Sequence, residues 1–291
     1  MQKPLVIIRI HVSIPSMDGT GKTVQNSNLA KATDLMAKSD YGAMLLELAK
    51  TMGVSIVAEP LGHDALACFL PEHEAIITNQ KAPPAALAAS LAHEIIHAWQ
   101  KHSGFWPDDN LSPQDAITAN RTIEATAQTG SLIMCRELEQ KGYLDPMRVH
   151  EQMGYSAQVA AIRSMNEPGR AFLAWFSLSW CRDRYDTATL DSLSSRTDAL
   201  EKAKAAGFRP LTPDMLTGMC ALPPNGASCL DRDILCGSIG VFSEQLSPGN
   251  TRRMQRLEAV LSGLGDEDDD AQEMAIMQRL QSSRKTRSFS Y

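Results

Sequence analysis

The sequence has no excess of basic residues: 28 Lys and Arg stand against 34 Asp and Glu, a formal net charge of -6 at pH 7. A surface that displaces counterions from phosphate needs the opposite balance, so a nucleic-acid partner is not expected. Long apolar runs are missing as well. The longest, 171–181, is closed off by Arg170 and Arg182 and falls well short of the roughly 20 residues that span a bilayer. The stretch 5–14 is interrupted by Arg9 and His11, and no small-residue cleavage site follows it, so it reads as neither a membrane segment nor a secretion signal. The six cysteines (Cys68, Cys135, Cys181, Cys220, Cys229, Cys236) contain no CxxC pair. They are expected as reduced thiols and not as a structural zinc site. A soluble, cytoplasmic chain without a membrane partner is the resulting expectation, and oligomeric state has no signature here.

With 43% hydrophobic residues, the chain can bury a substantial core. Residues 1–38 begin with a strand-like run and continue into Gly, Ser and Asn-rich sequence, which reads as a loosely ordered lead-in. Met44, Leu45, Leu48, Ala49 and Met52 recur at helical spacing and predict a helix over 41–52, with Gly53 just past its last turn. Segments 54–58, 65–70 and 74–78 read as strands, the last two joined as a hairpin by Pro71, Glu72 and His73. Pro83 and Pro84 suit the first turn of a helix that runs on through Trp99. Ser112, Pro113 and Asp115 resemble the cap of a long helix reaching about Lys141. Further helices are expected at 145–153, 158–165, 168–182 and 187–206. Beyond Gly207 the chain is rich in Pro, Gly and Ser, then carries an acidic run at 266–270 and the basic residues Arg284, Lys285 and Arg287. The reading is a lead-in at 1–38, a folded domain at 39–207 and a tail at 208–291. Its class is α+β, a small N-terminal sheet with a hairpin followed by a mainly helical part.

The segment LAHEIIHAWQ, 91–100, contains HExxH on a predicted helix. Four residues of separation put His93 and His97 on one face, one turn apart, where two imidazoles can hold one metal ion. Glu94 is turned by about a third of a revolution from His93, so it flanks the metal and can take a proton from water held there. Between Lys81 and Lys101 the only charged residue is Glu94, so this is a helix buried on nearly every face. A carboxylate in such a place is costly unless it is paired, and a divalent cation compensates it. The plain alternative is a core helix with two hydrogen-bonded histidines and a surface Glu.

A catalytic metal of this kind needs a third protein ligand. The pattern HExxHxxGxxH fails, because Gln100 stands at the Gly place and Ser103 at the third His, with His102 one position out of register. Glu124, in NRTIEATAQTG, lies 27 residues after His97 (124 minus 97) on the capped helix. Its neighbours Ala125, Ala127, Gly130 and Ser131 are small, which lets the two helices approach and makes Glu124 the better candidate. The alternative for Glu124 is an exposed Glu or one in an ion pair, with Arg121 as the candidate partner.

EAIITN, a short Pro-containing loop, LAASLAHEIIHAWQ and a later helical Glu together resemble the gluzincin branch of the zincins. More closely they resemble a bacterial family of inferred metallopeptidases without an assigned substrate, over about 41–190. The resemblance implies a zincin-like fold and Zn2+ held by His93, His97 and Glu124. It also implies Glu94 as the general base in hydrolysis of a peptide or protein substrate. Many zincins add a Tyr or His that stabilises the oxyanion; Tyr155, Tyr185 and His102 are the candidates here, each also readable as structural. If the strand over 74–78 lies at a sheet edge, an extended substrate would be able to add to it.

Two other readings compete. SMDGTGKT, beginning at Ser16 and ending at Thr23, approximates a phosphate-binding P-loop with Ser16 in place of its first Gly. Glu59-Pro60 and Asp183-Arg184-Tyr185 resemble fragments of nucleoside-monophosphate kinases. Asp183 lies 160 residues beyond Thr23 (183 minus 23), longer than that family's spacing, and a kinase leaves HEIIHAWQ without a role. The other reading is a zincin scaffold kept as a catalytically silent binding module, which would have no chemical need of Glu94.

Overall fold

In the computed structural model, which describes residues 27–61, 65–165, 167–230, 242 and 245–263, two helices lead: α1 (Ser27–Met36) and α2 (Asp40–Thr51). Ser39 separates them because its Oγ caps α2, accepting from the Gly42 N–H at 2.9 Å while donating to Glu137 at 2.6 Å. Ala32 and Met36 of α1 are fully buried, so ordered packing begins inside the stretch read as a lead-in.

Strands β1 (Ser55–Glu59), β2 (Ala67–Leu70) and β3 (Ala75–Asn79) form a sheet of order β1-β3-β2. The hairpin of β2 and β3 is antiparallel and turns through the 3-10 segment Pro71–His73, then Glu74 in the left-handed region at φ 47°. β1 runs parallel to β3. The edge position considered for 74–78 is therefore corrected: β3, whose Ile76, Ile77 and Thr78 are buried, takes the middle, and among the described residues β1 and β2 are the outer strands.

Helix α3 (Pro84–His102) packs on β2 and β3, on α1 and α2, and on α4 (Pro113–Gln140) and α5 (Asp145–Gln152). Enclosed on so many sides, it buries every residue over 91–100. α4 starts behind Ser112, whose Oγ accepts from the Asp115 N–H at 3.1 Å. The two helices come close at Gly130, where an added Cβ would lie 2.3 Å from Ile96 Cδ1. Beside it Ser131 Oγ donates to the Ala89 carbonyl at 2.7 Å, tying backbone to side chain across the contact.

The remainder is mostly helical: α6 (Ser156–Met165), α7 (Pro168–Phe176), α8 (Ser179–Ser194), α9 (Thr197–Ala206), α10 (Pro213–Met219), a ribbon of β4 (Ala221–Leu222) and β5 (Ala227–Ser228), and α11 (Pro248–Leu261). The helices expected over 168–182 and 187–206 have other limits. Ser177 Oγ donates to the Ala174 carbonyl at 2.7 Å, and Leu178 leaves the helical region at ψ 83°. The chain re-enters as α8, and a second break at Arg196, φ -133°, begins α9. Phe172, Trp175, Phe176, Tyr185 and Phe242 build a second core against α4. Met219, Cys220 and Leu230 join that core, and Met254 and Leu257 of α11 pack with α8 and α9; all five lie in the stretch read as a tail. The protein is thus mixed helix and strand with helices predominating. The strand-like 5–14, the P-loop-like 16–23, Cys236, the acidic run at 266–270 and the basic end at 284–287 lie outside the described residues. Among the described residues no helix is long and apolar enough to cross a membrane.

Candidate metal centre

His93, Glu94 and His97 project from the buried stretch of α3, and Glu124 meets them from α4. His93 Nε2 and His97 Nε2 are 2.9 Å apart, with the rings nearly perpendicular at 85°. Glu124 Oε2 lies 3.2 Å from the first nitrogen and 3.4 Å from the second. All three residues are buried, and the group could hold a metal ion. Neither imidazole gives Glu124 Oε2 a hydrogen bond of proper geometry, so this buried carboxylate oxygen lies at ion-pair distance from both rings yet lacks a hydrogen-bond partner. Folded chains rarely leave such an atom unless something else binds it. Arg121, one turn away, does not serve Glu124: its guanidinium is taken by Asp186.

The electrostatics point the same way. Burial alone would lower the His97 pKa, but the Glu124 carboxylate beside it outweighs burial and raises it to about 9. Burial pushes Glu124 upward, and the imidazole charges override it and hold the carboxyl well below the usual carboxylate range. The pocket therefore favours positive charge against Glu124, a demand that a proton or a divalent cation can meet.

The surroundings orient these groups. Gln100 Oε1 lies 2.9 Å from His97 Nδ1, and Gln100 Nε2 donates to the carbonyls of Ile123 and Met219 at 3.3 and 3.4 Å. An amide oxygen can only accept, so the proton of neutral His97 is on Nδ1 and the Nε2 lone pair faces Glu124. In the sequence Gln100 reads only as a break in a longer motif; its i,i+3 spacing from His97 is the signal of this contact. Glu94 Oε2 accepts from the Phe69 N–H at 2.9 Å, on the outer edge of β2. Trp106 packs edge-on against His97 and Phe69, with centroids 5.7 and 6.2 Å away.

A cleft of about 530 Å³ opens beside His93 and Glu94. Tyr155 and Tyr185 line it, and burial raises both phenol pKa values well above the ordinary one, so both stay protonated donors. The Tyr155 hydroxyl takes a weak bond from Cys181 Sγ at 3.8 Å. His102, the third candidate of that group, is exposed at the end of α3 and does not line the cleft.

Two cleft residues escaped sequence analysis. His150 Nδ1 accepts from Gln128 Nε2 at 2.9 Å, and its Nε2–H donates to Ser131 Oγ at 3.1 Å. Burial, and secondarily the charge of His93, lowers its pKa to about 3. Arg184 figured only in a kinase-like tripeptide. What brings it to the cleft is the buried pair two residues along: Arg121 Nε and Nη2 reach the two oxygens of Asp186 at 2.7 and 2.6 Å, and Nη1 reaches the Phe242 carbonyl at 3.0 Å. That two-point contact pins α8 to α4 with Arg184 and Tyr185 at the opening.

Residues 12–228 match the model of a family described as "Putative metallopeptidase family (DUF6782)". The matched span runs past residue 207 to the end of β5. No curated protein and no solved structure was found to match the chain.

Proposed function

We propose, from the premise that the chain belongs to this metallopeptidase family, that it is a zinc-dependent peptidase in which His93, His97 and Glu124 hold one zinc ion and Glu94 is the general base. The observation that carries the reading is Glu124 Oε2, buried without a hydrogen-bond partner within 3.2 and 3.4 Å of two imidazole nitrogens. The spacing supports zinc. Donor separations of 2.9, 3.2 and 3.4 Å sit around the roughly 3.3 Å between ligand atoms of a tetrahedral site with bonds of about 2.0–2.1 Å. Two imidazoles and one carboxylate also leave the fourth position open, as a catalytic zinc requires.

A bound zinc ion would polarise the substrate carbonyl and lower the pKa of a water molecule to about 7. Glu94, held through Oε2 by the Phe69 N–H, keeps Oε1 for the proton of the attacking water and returns that proton to the leaving amine. Tyr155 and Tyr185, which line the cleft as protonated phenols, are the candidates to donate to the developing oxyanion. Trp106 and Phe69 shield the His97 side from bulk water. The substrate is a peptide or protein. A cytoplasmic setting belongs to the same reading, supported by free Cys68, Cys135, Cys181, Cys220 and Cys229.

The test is metal stoichiometry by elemental analysis on the parent, His93→Ala and His97→Ala, with peptide-library hydrolysis by the parent and Glu94→Gln. One zinc per chain, lost in both histidine variants, and hydrolysis lost in Glu94→Gln with zinc retained, is the expected result. Absent metal, or metal indifferent to either histidine, overturns the reading. Zinc without turnover of any peptide selects the silent binding module instead.

A further inference from the structure

Arg184 is a partly buried cation that lines the same cleft as His93 and Glu94, and among the described residues no carboxylate pairs with it. The acids of its own helix are committed elsewhere. Asp183 accepts from Ser247 and Asn250, Asp186 is taken by Arg121, and Asp191 by Arg253. Glu94, the acid nearest in kind within the cleft, is engaged by the Phe69 N–H. The Arg184 guanidinium instead lies by the Tyr185 ring, 5.9 Å from its centroid. Much of the rest of the wall is apolar, with Ala65, Leu66, Ala67 and Met153 contributing.

A guanidinium drawn partly out of water without an acid is unfavourable, and the arrangement is relieved by a ligand that brings the acid. Its planar fork matches a carboxylate in two-point fashion, more tightly than a neutral acceptor would be held. The position also has a structural cause unrelated to any need for charge at Arg184, since the Arg121–Asp186 pair holds α8 in place.

We propose that Arg184 receives a carboxylate of the substrate in this cleft, so that the site takes peptides bearing a free C-terminus or an acidic side chain close to the bond it acts on. The word substrate rests on the peptidase reading; capture of the carboxylate does not.

The experiment is calorimetric titration of the zinc-loaded full chain with three N-acetylated hexapeptides of one neutral sequence. The first has a free C-terminal carboxylate, the second a C-terminal amide, and the third a C-terminal amide with one internal residue replaced by Glu. The parent is expected to bind the first or the third at least about tenfold more tightly than the second, the strength of a charge-assisted bidentate contact. Preference for the first identifies terminal capture and preference for the third identifies side-chain capture. Arg184→Met should erase the preference with neutral-amide binding unchanged, and Arg184→Lys should keep part of it. Equal binding of all three by the parent, binding of none, or a preference that survives Arg184→Met overturns the proposal. If Arg184→Met does not fold, Arg184→Gln makes the same comparison, and the parent's own three titrations decide alone. The two readings fail differently. Carboxylate preference without hydrolysis sinks the peptidase and keeps Arg184, whereas hydrolysis of amide and acid at equal rates, with equal binding, does the reverse.

Discussion

Gln100 grips His97 from behind the metal centre, with 2.9 Å between Oε1 and Nδ1 and the amide nitrogen shared between the carbonyls of Ile123 and Met219. A partner at that place sets the tautomer and aims the free lone pair, and its loss in metalloproteins typically weakens metal binding about 10–100-fold. Gln100→Ala is expected to lower zinc affinity by that factor, read by competition with a chelator, while the far-ultraviolet circular dichroism stays that of the parent. Unchanged affinity would reduce Gln100 to a packing residue.

Arg121 and Asp186 are 1% and 2% exposed in their side chains, so removing either charge strands the other in the core. Asp186→Asn is expected to cost about 3–5 kcal/mol in urea unfolding. The proposed metal ligands stand on α3 and α4, so folded Asp186→Asn should bind metal as the parent does. A loss below about 1 kcal/mol would mean the pair is solvated and does not anchor α8.

His150 supplies a pH dependence. Its folded pKa, about 3, lies below the ordinary value of about 6.5, because burial disfavours the charged ring. The fold therefore favours neutral His150. This contribution is complete above about pH 6.5 and is lost as pH falls toward 3, at up to about 1.4 kcal/mol per pH unit. His150→Gln can accept from Gln128 and donate to Ser131 without titrating. Its unfolding free energy between pH 6 and pH 4 should fall less steeply than the parent's, and equal slopes would show that His150 is already charged or open to water.

Gly130 and Ile96 set the distance between α3 and α4. Gly130→Val is expected to destabilise by about 1–3 kcal/mol through overpacking. Adding Ile96→Ala, which empties the space that the new side chain needs, should cost less than the sum of the two single changes. Strict additivity by denaturant titration would place the strain elsewhere.

Much of the candidate metal centre was legible because it is written in short-range terms. His93, Glu94 and His97 fall within one helical segment, and the missing charges around Glu94 announced its burial. Glu124 was legible through its small neighbours, since Gly130 and Ser131 are where the helices touch. The hairpin of β2 and β3 was legible from its turn residues. Strand order was not: placing β3 in the centre depends on β1 joining it in parallel from 20 residues away, as the register Ser55 with Ala75 shows. His150, Arg184 and the Arg121–Asp186 pair were silent for the same reason, because each acquires meaning from a residue on another helix. The limits of α7 and α8 were missed because 171–181 is apolar throughout and hides the break at Ser177 and Leu178.

The bond from the Phe69 N–H to Glu94 has a bearing on self-association. Among the described residues β2 is an outermost strand, and an outermost strand with open amides is a template on which another chain can polymerise. At Phe69 that template is stopped by a carboxylate. Glu94→Gln retains an oxygen in the same place and should leave the protein monodisperse, whereas Glu94→Ala uncovers the amide. The alanine variant would thus carry a tendency to aggregate that the glutamine variant lacks, whatever role Glu94 has in chemistry.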